Sequence, residues 1–480
     1  MIAMTLAAIA DVVGGKPVHD DGRTVDGPAF LDSRVAERGG LFVAIAGEHV
    51  DGHDYAGTAL DGGAAAVLSS RDTGLPGVVV DDPVAALALL ARHSLAGLPG
   101  ARVVALTGSQ GKTSTKDVLA QVLADAGTTV ATFGSFNNEL GLPLTVLRAD
   151  ASTEFLVLEM GARHVGDLTA SCAVAPPQVS LVLNVGKAHM GEFGSQEAIA
   201  TAKGEIVEAL PPADRGGVAV LNADDPLVAA MASRTTARVS SFGSGRDADV
   251  RFEDLAVDEL GRPTFDLVVG DERRSVTLGL IGEHHASNAA AVAAAALALG
   301  VPLDSIVASL GTATATSPAR MELTERADGV TVLNDAYNAN PDSMRAALKS
   351  LAAIGRGRPG SRTMAVLGEM LELGASSREE HDAIGRLAVR LDIHQLLVVG
   401  QGAKPIHLGA YLEGSWGGES VFVPDPDAAL GWLRENLTSG DVVLFKSSKA
   451  AQVRRVADAV LADVTGDEAG RPAPTEETRR

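Results

Sequence analysis

Val103-Val104-Ala105-Leu106-Thr107-Gly108-Ser109-Gln110-Gly111-Lys112-Thr113-Ser114 decides the fold class. Four apolar residues in a row read as a buried strand. The chain then turns through Gly108 and Gly111 and enters a pattern that predicts a helix over about 112–126. Strand, glycine-rich turn and helix, in that order, make a phosphate-binding loop. The glycines let backbone N–H groups curl towards phosphate oxygens, and the helix N-terminus adds positive potential. Lys112 supplies a point charge, and the Thr113 hydroxyl can ligate Mg²⁺. The spacing is the short G-x-x-G-K-T form, because Leu106 stands where the longer form has glycine. An ordinary strand–helix turn with a surface lysine would carry the same letters. Loop, lysine and hydroxyl together predict nucleotide binding, but not what the nucleotide does.

The alternation continues on both sides of this loop. Leu41-Phe42-Val43-Ala44-Ile45 and Ala64-Ala65-Ala66-Val67-Leu68 read as strands, and residues 84–96 as a helix that Gly97 ends. After the loop, Phe155-Leu156-Val157-Leu158 and Leu181-Val182-Leu183 read as strands and residues 288–299 as an alanine-rich helix. Further strands are expected at 330–333, 363–367, 395–399 and 442–445. Continuous apolar strands separated by helical patterns predict parallel sheets covered on both faces. Leu98-Pro99-Gly100 reads as one linker, and the threonine-rich stretch 312–318 as another. We therefore expect an α/β fold with domains at 1–98, 99–314 and 315–465. The remainder, 466–480, is rich in Glu, Pro, Thr and Arg and is expected to be a disordered tail.

Composition agrees. At about 150 residues per domain, 480 residues suggest three domains. Apolar residues make up 46% of the chain and aromatic ones 3%, so the cores must be built from Ala, Val and Leu. The longest apolar stretch, 289–299, is too short to span a bilayer, and no basic segment followed by an apolar one opens the chain. The single Cys172 excludes a disulfide scaffold and a cysteine zinc site. These features favour a cytoplasmic protein. A net charge of −21 argues against nucleic-acid binding.

Three further residues are placed for chemistry. Glu159 closes the strand that follows the loop, at the edge where parallel sheets bind ligands, and a carboxylate there suits a cation that bridges phosphates. An N-cap or surface acid is the plainer reading. His189, in Asn184-Val185-Gly186-Lys187-Ala188-His189, follows the next strand and should reach the same edge. Lys203 reads as a helix lysine, usually solvated. The chain, however, has nine lysines against thirty-one arginines, so its remaining lysines are better candidates for chemistry. Asn222-Ala223-Asp224-Asp225-Pro226 reads equally as an Asx turn opening a helix or as a ligand site.

Taken together, these motifs resemble the ATP-dependent muramyl ligases of bacterial cell-wall synthesis. The resemblance runs to about Ala462. It includes Asp32-Ser33-Arg34, Asp51-Gly52-His53, the phosphate loop, Asn137-Asn138-Glu139, Glu159-Met160-Gly161-Ala162, residues 184–195, and 202–206. It also takes in residues 282–288, Asp335-Ala336-Tyr337-Asn338-Ala339-Asn340-Pro341 and Glu369-Met370-Leu371-Glu372-Leu373-Gly374. The resemblance implies an N-terminal UDP-sugar domain, a central ATP domain, and a Rossmann-like domain that closes over the site. It implies a phosphate site on Gly108, Ser109, Gln110, Gly111, Lys112, Thr113 and Ser114. It implies two Mg²⁺ ions on Thr113, Glu159, His189 and a carbamylated Lys203. Asn288 matches an adenine contact, Arg320 a cation on the phosphates and Asp335 a ribose contact. Ser33 and Arg34 match the uridine end, and Asn137 and Asn138 the peptide side.

The implied activity is ATP-driven joining of D-alanyl-D-alanine to UDP-N-acetylmuramoyl-tripeptide, by a monomer, with Lys112, His189 and Lys203 as catalytic groups. The alternatives are a sister ligase or folylpolyglutamate synthase adding one amino acid, and a P-loop NTPase without ligase activity. Asn137-Asn138-Glu139 and residues 337–341 argue against the first. The chain departs from the family pattern at Ser135, His285, Ala319, where glycine is common, and Ser447.

Overall fold

A computed structural model describes residues 1–47, 50–187, 190–414 and 418–463. The expected tail, 466–480, lies outside the described residues.

Three main sheets follow one another along the chain. The first has five strands, ordered Lys16–Val18, Gly77–Val79, Ala66–Ser69, Leu41–Val43 and Ala29–Phe30. Its pairs are parallel except the first. The helix Pro83–Ala96 covers it. Asp82 caps that helix by accepting from the Val84 and Ala85 N–H groups, Pro83 sits in the first turn, and Gly97 ends it.

The second sheet has nine strands. Seven run parallel, ordered Val250–Val257, Arg238–Gly243, Val218–Asn222, Val179–Val182, Arg102–Thr107, Phe155–Glu159 and Thr129–Ala131. The expectation of parallel sheets is corrected at one edge of each sheet, most extensively here. There Val250–Val257, Pro263–Val269 and Glu272–Thr277 form an antiparallel meander. Charged residues break its strands, leaving apolar runs no longer than the triplets Leu255–Val257 and Leu267–Val269. The third sheet has six strands, parallel except for Glu322–Glu325 against Thr331–Asn334.

The period-2 pattern explains how the loop is held. Val103 and Ala105 of the strand Arg102–Thr107 point into a core shared with Leu6, Leu41, Leu68 and Leu90 of the first sheet's layer. Val104 and Leu106 point to the opposite face, against the helices Lys112–Ala124 and His284–Ala298. The latter begins four residues before the expected Asn288 and is almost wholly buried, its alanines fitting close to the sheet. With both faces packed, the strand delivers the loop to the sheet's carboxyl edge.

Candidate active site

Gly111 caps the helix Lys112–Ala124 with φ +79°, a left-handed conformation that glycine adopts without strain. The loop is braced from behind by Asn184, which follows the neighbouring strand. Its Oδ1 accepts from the N–H groups of Ser109 and Gln110, both at 3.0 Å, and its Nδ2 donates to the Gln110 carbonyl at 3.1 Å. The Ser109 hydroxyl accepts the Gly186 N–H at 2.8 Å. The N–H groups of Ser109 and Gln110 thus face Asn184. The donors left for an anion are those of the helix's first turn, which have no intrahelical partner. Lys112 folds back, donating from Nζ to the Gly108 carbonyl at 2.7 Å.

Beside the loop lies an acid–amine cluster. Glu159 is 1% exposed. Its Oε1 accepts from Asn137 Nδ2 at 2.6 Å, while its Oε2 is buried with no hydrogen-bond partner among the described residues. A carboxylate oxygen left in this state is costly unless a cation shares it. Lys112 is the nearby amine: burial lowers its pKa, the Glu159 charge raises it and Arg320 lowers it. Lys203, on the helix Gln196–Glu208, is 3% exposed. Burial, and then the charge of Lys112, push its pKa well below the ordinary lysine value. Among the described residues no three His, Cys, Asp or Glu side chains converge as a metal cluster. The oxygen donors here are Glu159 and Thr113. His189 lies outside the described residues.

Thr113, Glu159, Lys112, Lys203, Asn137 and Asn138 all line one cleft of about 1070 Å³. The third sheet walls its far side with Arg320, Tyr337 and Asn340, and Leu31 and Ala88 contribute from the first. A second cavity, of about 260 Å³, opens on the other side of the loop. It is lined by Gln110, Gly111, Ser114, Asn288, Arg320 and Asp335, with the rings of His284 and His285 centred 4.3 Å apart and tilted by 36°. His285 is buried and His284 half-buried, burial lowers the pKa of both, and the Nδ1 atoms of both and Asn288 Nδ2 are buried without partners among the described residues. Asp335 is held between the Met321 N–H, at 3.2 Å, and Lys446 Nζ, at 2.5 Å.

The structure therefore brings together the loop, Glu159, Lys203, Asn137, Asn138, Asn288, Arg320 and Asp335. It does not bring in Ser33 or Arg34, which line neither cavity; Arg34 is exposed and paired with Asp32 at 2.6 Å. In the Asn222 turn, Asn222 lines the smaller cavity. Asp224 accepts from Ser244 and Gly245, and Asp225 caps the helix Pro226–Ala229. Reading residue by residue missed Asn184, Tyr337 and Lys446 as parts of the site. The signal for each was position: all three stand at or just beyond the carboxyl end of an apolar strand.

Phosphate donors, a buried acid with one oxygen free and an amine without a partner among the described residues, all in one cleft, suit transfer of a phosphoryl group between two anions. Comparison with known proteins agrees. Residues 29–94 match the Mur ligase family catalytic domain, 106–296 the Mur ligase middle domain, and 319–449 the Mur ligase glutamate ligase domain. The chain is 48% identical to the UDP-N-acetylmuramoyl-tripeptide–D-alanyl-D-alanine ligase of Mycobacterium bovis, over 97% of this chain and 99% of the relative. The crystal structure of MurF from Acinetobacter baumannii superimposes with a TM-score of 0.83 at 30% identity, covering 96% of this chain and 99% of that one. MurF ligase from Thermotoga maritima in complex with ADP gives 0.77 at 31%, covering 92% and 98%. The chain belongs to the Mur ligase family.

Proposed function

We propose that this chain is an ATP-dependent ligase joining D-alanyl-D-alanine to UDP-N-acetylmuramoyl-tripeptide, with an acyl phosphate as intermediate and ADP and phosphate as by-products. The observation that carries it is the unpaired Glu159 oxygen beside the Lys112–Thr113 loop, in a cleft to which all three sheets contribute. The names of the relatives supply the substrates.

Amide formation from a carboxylate is uphill, so a carboxylate oxygen first attacks the γ-phosphorus and ADP leaves. Both reactants are anions. Lys112, Arg320 and the helix N-terminus offset their repulsion. The donor set fits Mg²⁺: a hydroxyl on Thr113, a carboxylate with a free buried oxygen on Glu159, His189, and Lys203 as a carbamate. Bound there, two Mg²⁺ ions would supply charge neutralisation on the phosphates and on the incoming carboxylate. Lys203 is suited to carbamylation because it is a buried amine with no ion pair or hydrogen bond among the described residues. Asn288 and Asp335 would hold adenosine in the smaller cavity, Ser33 and Arg34 the uridine end, and Asn137 and Asn138 the peptide. The third sheet's wall keeps water from the acyl phosphate. The dipeptide amine then attacks the acyl carbon and the tetrahedral intermediate expels phosphate.

We assign residues 1–98, 99–314 and 315–465 to the UDP-sugar, ATP and closing domains, and place the protein in the cytoplasm as a monomer. No helix among the described residues is long and apolar enough to cross a membrane. A phosphate-release assay with UDP-muramyl-tripeptide and ATP tests the function. Release should require D-alanyl-D-alanine. Release without an acceptor would mark an NTPase, and release with single amino acids a sister ligase.

A further inference from the structure

The loop that braces the phosphate site is itself held from the third sheet's layer. Asp342, in the first turn of the helix Pro341–Gly357, accepts the Lys187 N–H at 3.1 Å through Oδ2. A Cβ on Gly186 would lie 2.3 Å from that oxygen, so the approach needs glycine at 186. The Lys187 ammonium donates to Glu380 Oε1 at 2.7 Å. Glu380, on the helix Ser377–Arg390, has a 9% exposed side chain, and its Oε2 accepts from Arg345 at 2.6 Å. Arg345 also donates to Asp342 Oδ1 at 3.1 Å. One buried carboxylate is thus satisfied by a cation from its own layer and a second from the central layer. The other side of residues 184–187 carries the Asn184 and Gly186 bonds to the phosphate loop. None of Lys187, Asp342, Arg345 and Glu380 lines either cavity, so the reaction described above gives them no part.

We propose that Asp342 and Glu380 are positioning residues: by gripping Gly186 and Lys187 when the third domain closes, they transmit closure to the shape of the phosphate loop. The inference rests on the ligase reading. The link is physical and short, running from Glu380 and Asp342 to residues 186–187, then to Ser109 and Asn184. With the third domain swung away, Lys187 would lose both carboxylates and the loop's brace would be held from one side only. Closure supplies the second side. Because Glu380 is already buried beside Arg345, the arrival of Lys187 completes a pair that one partner leaves unfinished.

The test uses the full chain. Glu380→Gln and Asp342→Asn should each lower kcat by about tenfold while KM for ATP and dipeptide stays within about twofold, the sign of an interaction made only on the way to the transition state. Glu380→Asp should recover part of the loss. Lys187→Met should cost as much as Glu380→Gln, and the double variant no more than either. By small-angle scattering, the wild type should compact with a non-hydrolysable ATP analogue plus UDP-muramyl-tripeptide, and Glu380→Gln should compact less. Unchanged kcat, additive losses, or a kcat loss with wild-type compaction would each overturn the proposal. The scattering arm needs no turnover. If the wild type fails to use the dipeptide, the ligase reading falls while the coupling is still decided. Should Glu380→Gln fold poorly, half-exposed Lys187 carries the test alone.

Discussion

The Arg320 guanidinium donates to the Thr113 hydroxyl at 3.3 Å across 207 positions of sequence, and lies 4.3 Å over the Tyr337 ring. Arg320 belongs to the segment that leads into the third sheet, and Thr113 heads the phosphate-loop helix. The third domain therefore places a fixed cation on the hydroxyl assigned to the metal and phosphates. The Tyr337 ring supports the guanidinium, and its Nε is buried with no partner among the described residues, so the group keeps donor capacity for an incoming anion.

Lys112 and Arg320 should be separable by kinetics. Lys112 is part of the loop itself, so Lys112→Ala should lose about 10²-fold or more in kcat, as for removal of a donor to developing charge. Lys112→Arg should not restore it, because a planar fork does not fit where an ammonium folds back onto Gly108. Arg320→Ala should lose about tenfold to 10²-fold. Phosphate release at saturating substrates measures both. A Lys112→Ala enzyme with normal kcat would remove the loop from the reaction.

Ala319 has φ +55° and is fully buried, immediately before Arg320. This gives a physical reason for glycine being common there. A left-handed alanine carries roughly 1 kcal/mol of strain. Exchange for glycine relieves that but deletes a buried methyl, at about 0.8 kcal/mol, and frees the unfolded backbone, at roughly 0.5–1 kcal/mol. Ala319→Gly should therefore shift stability by less than about 1 kcal/mol. Ala290→Gly, buried in the helix His284–Ala298 with no strain to relieve, should lose about 1.5–2 kcal/mol. Parallel urea unfolding of the two variants gives the comparison.

Asp51 ties the first sheet together. It accepts the His53 N–H at 3.0 Å, pairs with His53 Nδ1 at 2.6 Å and Arg71 at 2.9 Å, and His53 Nε2 in turn meets Ser70. The backbone N–H and the His53 ring, with Arg71, bring its pKa down from 3.8 to about 2. A carboxylate depressed in this way stabilises the fold above its unfolded value and loses that contribution as pH falls through the folded one. The first domain should therefore lose stability between pH 3.8 and about 2, and Asp51→Asn should flatten this part of the profile. Circular dichroism melts across that range would show it. An unchanged acid limb in the variant would assign the loss elsewhere, with Asp21 and Asp32, also depressed to about 2, as the next candidates.

What could be read from the chain was local and periodic. The strands Arg102–Thr107 and Phe155–Glu159 are buried on both faces, so their composition alone marks them, and the loop and Glu159 follow from their ends. The meander 250–277 stayed hidden because Arg251, Glu253 and Asp254 interrupt the apolar pattern where one face meets water. The site's second half was hidden for a different reason. Lys187 and Glu380 stand 193 positions apart, and no spacing rule joins them. Arg34, which the resemblance puts at the uridine end, is exposed and ion-paired with Asp32 two residues away, so its surroundings do not by themselves mark a ligand. Lys203 reads as a solvated helix lysine, and only the packing of helix Gln196–Glu208 against the sheet shows it buried.

That burial makes Lys203 the most discriminating residue to test. A bare ammonium beside a metal would be repelled, and here it would also face Lys112. Addition of CO₂ to the amine turns the side chain into an anion with two oxygens, a ligand that a hard cation accepts. Lys203→Ala should be nearly inactive and partly rescued by short-chain carboxylic acids, which restore the missing anion. A readout independent of activity is carbon-13 NMR with labelled bicarbonate. The wild type should show a carbamate resonance that Lys203→Ala lacks. If the variant turns over normally, or the labelled wild type shows no such signal, Lys203 is a buried neutral amine and the second metal has another ligand.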